Sequence, residues 1–171
     1  MSTRTEWVNG MTDQLPQGPW KGEPDKVQWV DESTGLDCLI VRAPLGALCG
    51  YVGVPPEHPW HGNGYGDCMT DCGETWCDHR PEARVRVHGG LTFSSSCRES
   101  DRGEAFGVCH VPAPGRSADV WWFGFDCSHW RDVTPGMLET FPPDPDSEYR
   151  DIGYVTEEVR ALASQLAAVP T

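Results

Sequence analysis

The sequence predicts an α+β domain: an antiparallel or mixed sheet of about five to seven strands, a C-terminal helix packed on it, and long loops rich in proline and glycine. Three observations carry that prediction. Runs with period-two alternation recur through the middle of the chain, one 3.6-period stripe closes it, and the segments between them hold turn residues without periodicity. At 171 residues the chain can bury a core without staples, and no composition shift marks a second domain.

Residues 1–25 carry Pro16, Gly18, Pro19, Gly22 and Pro24 with little apolar content, which reads as a loose N-terminal arm draped over the domain at Trp20. A single domain is expected over 26–169. It begins with "KVQWV", "LDCLIVRA" and "LGALCGYVGV", three strands separated by turn residues and most economically an antiparallel meander. Residues 55–82 have no periodicity and hold three histidines and three cysteines, the pattern of a functional or metal-clipped loop. In "ARVRVHGGLTF" the alternation sets Arg84, Arg86 and His88 on one face of an expected strand, and Gly89 and Gly90 allow a bulge or a close backbone approach.

A second loop, 94–107, leads through "VCHV" and a "PAPG" turn into "DVWWFGFDC". There Val120, Trp122, Gly124 and Asp126 share one side, while Trp121, Phe123, Phe125 and Cys127 share the other. Bulky side chains on both sides predict a central strand covered on both faces. The closing "TEEVRALASQLAAV" reads as a helix capped by Thr156, with Glu157 and Glu158 at its positive end and a buried stripe of Val159, Leu162, Ala163 and Leu166.

Acidic residues number 26 against 13 basic ones, a formal charge of −13, so the chain as a whole should repel duplex nucleic acid and anionic membranes. An anionic ligand would need a local cationic patch. No stretch approaches the ~20 apolar residues of a membrane helix, and the start lacks a signal-peptide core, so a cytoplasmic location is expected. In that reducing compartment the eight cysteines are expected as thiols, metal ligands or reactive groups more than as disulfides.

Four groupings suggest chemistry. Cys68-x3-Cys72-x4-Cys77-x-His79 places four soft ligands in one loop, suited to a tetrahedral zinc or else a set of reduced thiols. Asp126 and His129, with Asp132 just beyond, end the central strand; a carboxylate and an imidazole there fit half of a hydrolytic metal site, or a capping Asp beside a solvent-facing His. His88 ends another strand on the face of Arg84 and Arg86, a stripe suited to phosphate or an exposed edge with gatekeeping charges. "EHPWHG" offers Glu57, His58 and His61, although Pro59 prevents a helical register. Cys109 and His110 raise a nucleophile-and-base question that sequence adjacency leaves open, and Arg150 reads as an anion clamp or a surface partner for Asp151. No phosphate-binding P-loop, dinucleotide fingerprint, zincin motif or nucleophile elbow is present in the sequence, which argues against those common enzyme classes.

The segments "DKVQWVDESTGLDCLIVRAPLGALCGYVGVPPEHPWHG", "VHGGLTFS", "CHVPAPG", "WWFGFDCSHW" and "YRDIGYVTEEVRALASQLA", in this order over roughly residues 19–166, resemble a family of small proteins encoded by bacteriophages and prophages, especially of actinobacterial hosts. The resemblance implies that Gly50–His58, His88–Thr92 and Trp121–His129 recur while Cys68–His79 is a variable insertion. It groups His58, His88, Asp126 and His129 in one catalytic site. A phage setting implies a host bacterial cytoplasm and an accessory protein that acts on a nucleotide-derived or phosphorylated small molecule, for instance a counter-defence hydrolase of an immune second messenger. The alternatives are a non-catalytic sponge, with Trp122 stacking a base and Arg84, Arg86 or Arg150 holding phosphates, and an acidic inhibitor of a host protein. Capture sites are often built between subunits, so a homo-oligomer fits the sponge.

Overall fold

The computed structural model describes residues 3–74 and 76–171. Six strands form one antiparallel sheet: β1 (Thr5–Trp7), β2 (Lys26–Val30), β3 (Asp37–Arg42), β4 (Leu48–Val54), β5 (Phe93–Ser95) and, after the short pair β6 (Arg98–Glu99) and β7 (Gly107–Val108), β8 (Trp121–Asp126). The sheet order is β1-β2-β3-β4-β8-β5, so the expected meander is present and β8 is internal. A four-residue helix α1 (Pro81–Arg84) and the C-terminal α2 (Ile152–Ala167) complete the α+β fold. No helix among the described residues is long and apolar enough to cross a membrane.

The two faces of β8 are buried against different partners. Phe123, Phe125 and Cys127 face α2 and join Val155, Val159, Leu162, Ala163 and Leu166 in the larger core. Trp122 and Val120 face the other way, with Leu39, Tyr51 and Val108. Each fully buried side chain of this kind contributes about 1.5–3 kcal/mol. The β4–β8 register alternates glycine with aromatic: Gly50 stands opposite Phe125, and Tyr51 opposite Gly124. A Cβ at either glycine would run into the ring across from it, so each aromatic lies over the bare backbone of its partner.

Three sequence expectations need correction. Of the expected 1–25 arm, the described residues 3–25 are not loose, because β1 pairs with β2 and Trp20 is buried, and residues 1–2 lie outside the described residues. Asp25 accepts from the backbone of Asn9 at 2.7 Å and Met11 at 3.2 Å. Its other oxygen accepts from Arg42, whose fully buried guanidinium also reaches Glu23, the Gly46 carbonyl and the Tyr149 hydroxyl. Glu23 in turn accepts from Tyr149 and from the amide of Ile152 at the start of α2, so one knot ties the arm, the sheet and the helix together. Polar satisfaction holds this arm down where apolar content is low.

Residues 83–92 are not a strand. Pro81 starts the single turn of α1, and the chain then runs beside α2, where Gln165 bonds both the amide and the carbonyl of Arg86 and Glu158 accepts from the amide of His88. Helix side chains take the place of a neighbouring strand, and Gly89 and Gly90, both left-handed, turn the chain into β5. Helix α2 starts five residues earlier than expected. Asp151 caps it by accepting from the Tyr154 amide at 2.8 Å, while Thr156 lies inside and bonds the Ile152 carbonyl.

Candidate functional site

Beyond Asp126 the chain turns through Cys127–Asp132. Asp132 closes that turn, its carboxylate accepting from the His129 amide at 3.0 Å and its own amide donating to the His129 carbonyl. Arg131 adopts φ 72°, the one positive φ among the described non-glycine residues. Such a residue persists only where the surroundings fix it. Here Glu148 donates to the Arg131 carbonyl and accepts from the Val133 amide, and this pairing also delivers Tyr149 and Arg150.

Asp132 is the hub, its side chain only 2% exposed. One oxygen accepts from His88 Nε2 at 2.7 Å and the other from Arg150 Nε at 3.0 Å. Burial alone would raise the carboxyl pKa, but the bonds from His88, Arg150 and the His129 amide outweigh it and hold Asp132 below the usual carboxylate range. His88 Nδ1 meets the Tyr154 hydroxyl at 2.9 Å, so both ring nitrogens are engaged. Burial and the charge of Glu158 push the Tyr154 phenol up, keeping it protonated. The His129 ring stands 5.6 Å from that of His88, and its Nδ1 is buried without a hydrogen-bond partner, 3.6 Å from Asp132 and 3.8 Å from Asp126. Gly89 makes room for this ring, since a Cβ there would overlap it.

His88 and His129 therefore come together as expected, and Asp132 joins them. One ligand atom from each of the three lies within 4.8 Å of the others, a set that could hold a metal ion. Asp126 stands at the rim: its oxygens accept from Ser128 and Thr92, bonds that overcome the upward push of burial and lower its pKa. Arg150 reaches the centre, but its guanidinium is committed to Asp132 and Glu148 and lies over the Tyr154 ring. Tyr154, which lies before the expected helix start, was missed as a site residue; Asp151 three residues before it is the capping signal that would have placed it.

His58 does not join this site. Its Nε2 donates to the Leu166 carbonyl at 2.9 Å, with Nδ1 accepting from the Trp60 amide, so it caps the C-terminal end of α2 and burial lowers its pKa. Glu57 beside it is exposed, and His61 lies against Trp121 and near Asp119. Trp122 is fully buried against His110, so it has no free face for a ligand. Arg84 and Arg86 are exposed, but without a strand they form no stripe with His88. The exposed aromatic next to the centre is Trp130, 78% accessible, with the Arg131 guanidinium 4.4 Å above its ring. Cys109 is joined to Cys97 in a disulfide, which removes it as a nucleophile for His110 and departs from the expectation of free thiols.

Cys68, Cys72, Cys77 and His79 converge as well, their ligand atoms all within 4.8 Å, and could hold a metal; Cys68 and Cys77 are also paired as a disulfide. Comparison with protein-family models, with curated proteins and with solved structures gives no match.

Proposed function

We propose that this chain is a phage-type accessory protein that hydrolyses a nucleotide-derived, phosphorylated small molecule at the His88–His129–Asp132 centre, with zinc as the bound ion. The observation that carries the reading is the convergence of two imidazoles and a buried carboxylate whose far sides are already held, His88 by Tyr154 and Asp132 by Arg150. Ligands steadied in this way by outer partners are the usual construction of a metal site. The unpartnered Nδ1 of His129 supplies a lone pair with no other use. Two nitrogens and one oxygen leave positions open, as catalytic zinc requires, and the ion would supply an activated water and a counter-charge for phosphoryl oxygens.

The protein side chains divide the remaining work. To ligate the ion, His88 Nε2 and the Asp132 carboxylate would exchange their mutual hydrogen bond for it, while Tyr154 holds the far side of the His88 ring and Arg150 stays paired with Asp132. Tyr154 holds a proton at its hydroxyl within reach of His88. Trp130 presents an exposed face on which a base can stack, and Arg131 beside it meets anionic oxygens. In a chain of charge −13 this local cation is what an anionic substrate requires. The phage-type resemblance favours a host signalling nucleotide as substrate.

The test is to incubate zinc-loaded protein with linear, cyclic and ADP-ribose-type nucleotides and to analyse the free and heat-released fractions by mass spectrometry. A new product mass is expected, with turnover reduced ~10²-fold or more in His129→Ala. A nucleotide depleted from solution and recovered intact on heating would replace catalysis by capture.

A further inference from the structure

We propose a second metal centre, independent of the hydrolytic reading: a structural zinc held by Cys68, Cys72, Cys77 and His79. The Cys68–Cys77 pairing accounts for two of these residues and leaves the other two unexplained. Cys72 Sγ lies 3.0 Å from Cys68 Sγ although no covalent bond joins them, and His79 brings a ring nitrogen into the same cluster. Three sulfurs and one imidazole nitrogen, mutually within 4.8 Å, are a complete tetrahedral donor set. Zinc with bonds of about 2.0–2.3 Å would separate such donors by ~3.3–3.8 Å, inside that span.

The loop needs such a clip. Among the described residues the backbone around the cluster is tied by Met69 donating to the His79 carbonyl at 3.4 Å, Arg80 to the Cys77 carbonyl at 3.4 Å and Glu82 to the Tyr65 carbonyl at 3.0 Å. Trp76 is 79% exposed, with Arg80 over its ring instead of a core around it. Cys77 is buried, whereas Cys72 and His79 face solvent. A loop with so little apolar burial is held closed by a crosslink or not at all, and one zinc joins both of its ends. The clip lies between α1 and Tyr65, which packs on the core and whose amide donates to Ser94 Oγ at 2.9 Å. With Cys68 and Cys77 joined the set binds no zinc; a thiol reductant supplying two electrons and two protons would open that bond to two thiols, which lose their protons as they ligate the ion, so metal and Cys68–Cys77 bond are alternative states of one site.

The test uses the full chain purified under reducing conditions and loaded with cobalt(II) in place of zinc. Thiolate-to-cobalt charge-transfer absorption in the near ultraviolet is expected in the wild type and in His129→Ala, to weaken in Cys72→Ser, and to vanish when Cys68, Cys72 and Cys77 are all replaced by Ser. Nitrogen and oxygen ligands give no such band, so the His88–His129–Asp132 centre cannot imitate it. Native mass spectrometry of the zinc-loaded wild type reads the same site without substitution, and a zinc adduct retained in His129→Ala is expected. A wild-type chain without the charge-transfer band, or a mass showing the Cys68–Cys77 disulfide intact and no metal after reduction, would overturn the proposal.

Discussion

Replacing Asp132 by Asn tests the hub of the centre with the least change in shape. The carboxylate receives His88 Nε2, the His129 amide and Arg150 Nε at 2.7–3.0 Å. An amide keeps one acceptor oxygen, loses the charge, and turns an N–H toward one of these donors. Hydrogen bonds to a charged group contribute about 1.5–3 kcal/mol each, and breaking a buried pair costs about 3–5 kcal/mol. Arg150 is partly exposed and retains Glu148, which discounts the upper figure, so a loss of about 2–3 kcal/mol at pH 7 is expected. For a chain of this size that lowers Tm by roughly 4–12 °C. The pH dependence supplies the sign. The folded pKa of Asp132 is depressed, so its stabilisation is fully present above the unfolded carboxylate range and is lost as pH falls through the folded value. The deficit of the variant should therefore be largest at neutral pH and shrink below about pH 4. Urea unfolding of both proteins from pH 3 to pH 7 measures it. Equal stability at pH 7, or a deficit that persists unchanged into acid, would refute the assignment of Asp132 as an ionised hub.

Three further outcomes are expected. His58→Ala should cost about 1 kcal/mol by leaving the Leu166 carbonyl unbonded, while nucleotide hydrolysis continues at the wild-type rate; loss of turnover at unchanged fold would return His58 to the site. Gly89→Ala should cost about 1–3 kcal/mol and abolish metal binding at the centre, because it combines a left-handed φ of 65° with a collision against the His129 ring; calorimetric metal titration equal to wild type would contradict this. Burial raises the thiol pKa of Cys38, Cys49 and Cys127, Cys49 to about 11, so all three should resist thiol reagents in the native state at pH 8. These protons are kept in the folded chain and released by the unfolded one, so stability should fall above about pH 9 by about 1.4 kcal/mol per thiol per pH unit; stability rising between pH 9 and 10 would count against it.

Local pattern reported the elements whose burial is regular. Strands β2 to β4, the two faces of β8 and the α2 stripe were legible because each pairs with a neighbour along its whole length. The arm was not, because three residues of β1 carry no periodicity and the arm is secured by Asp25 and Glu23 bonding across the chain. Residues 84–88 alternate like a strand, yet their backbone is satisfied by Gln165 and Glu158, a partnership that only tertiary packing creates. At the site the same division holds. His129 and Asp132 are three residues apart and readable in one turn, and His88 follows from its glycines. His58 was misassigned because its partner, the end of α2, lies 108 residues away.

Tyr149 and Arg150 are neighbours in sequence with separate duties, one bonded to Arg42 and Glu23, the other to Asp132. Glu23 belongs to the first stretch of the chain, so that stretch takes part in anchoring the peptide whose next residue reaches Asp132.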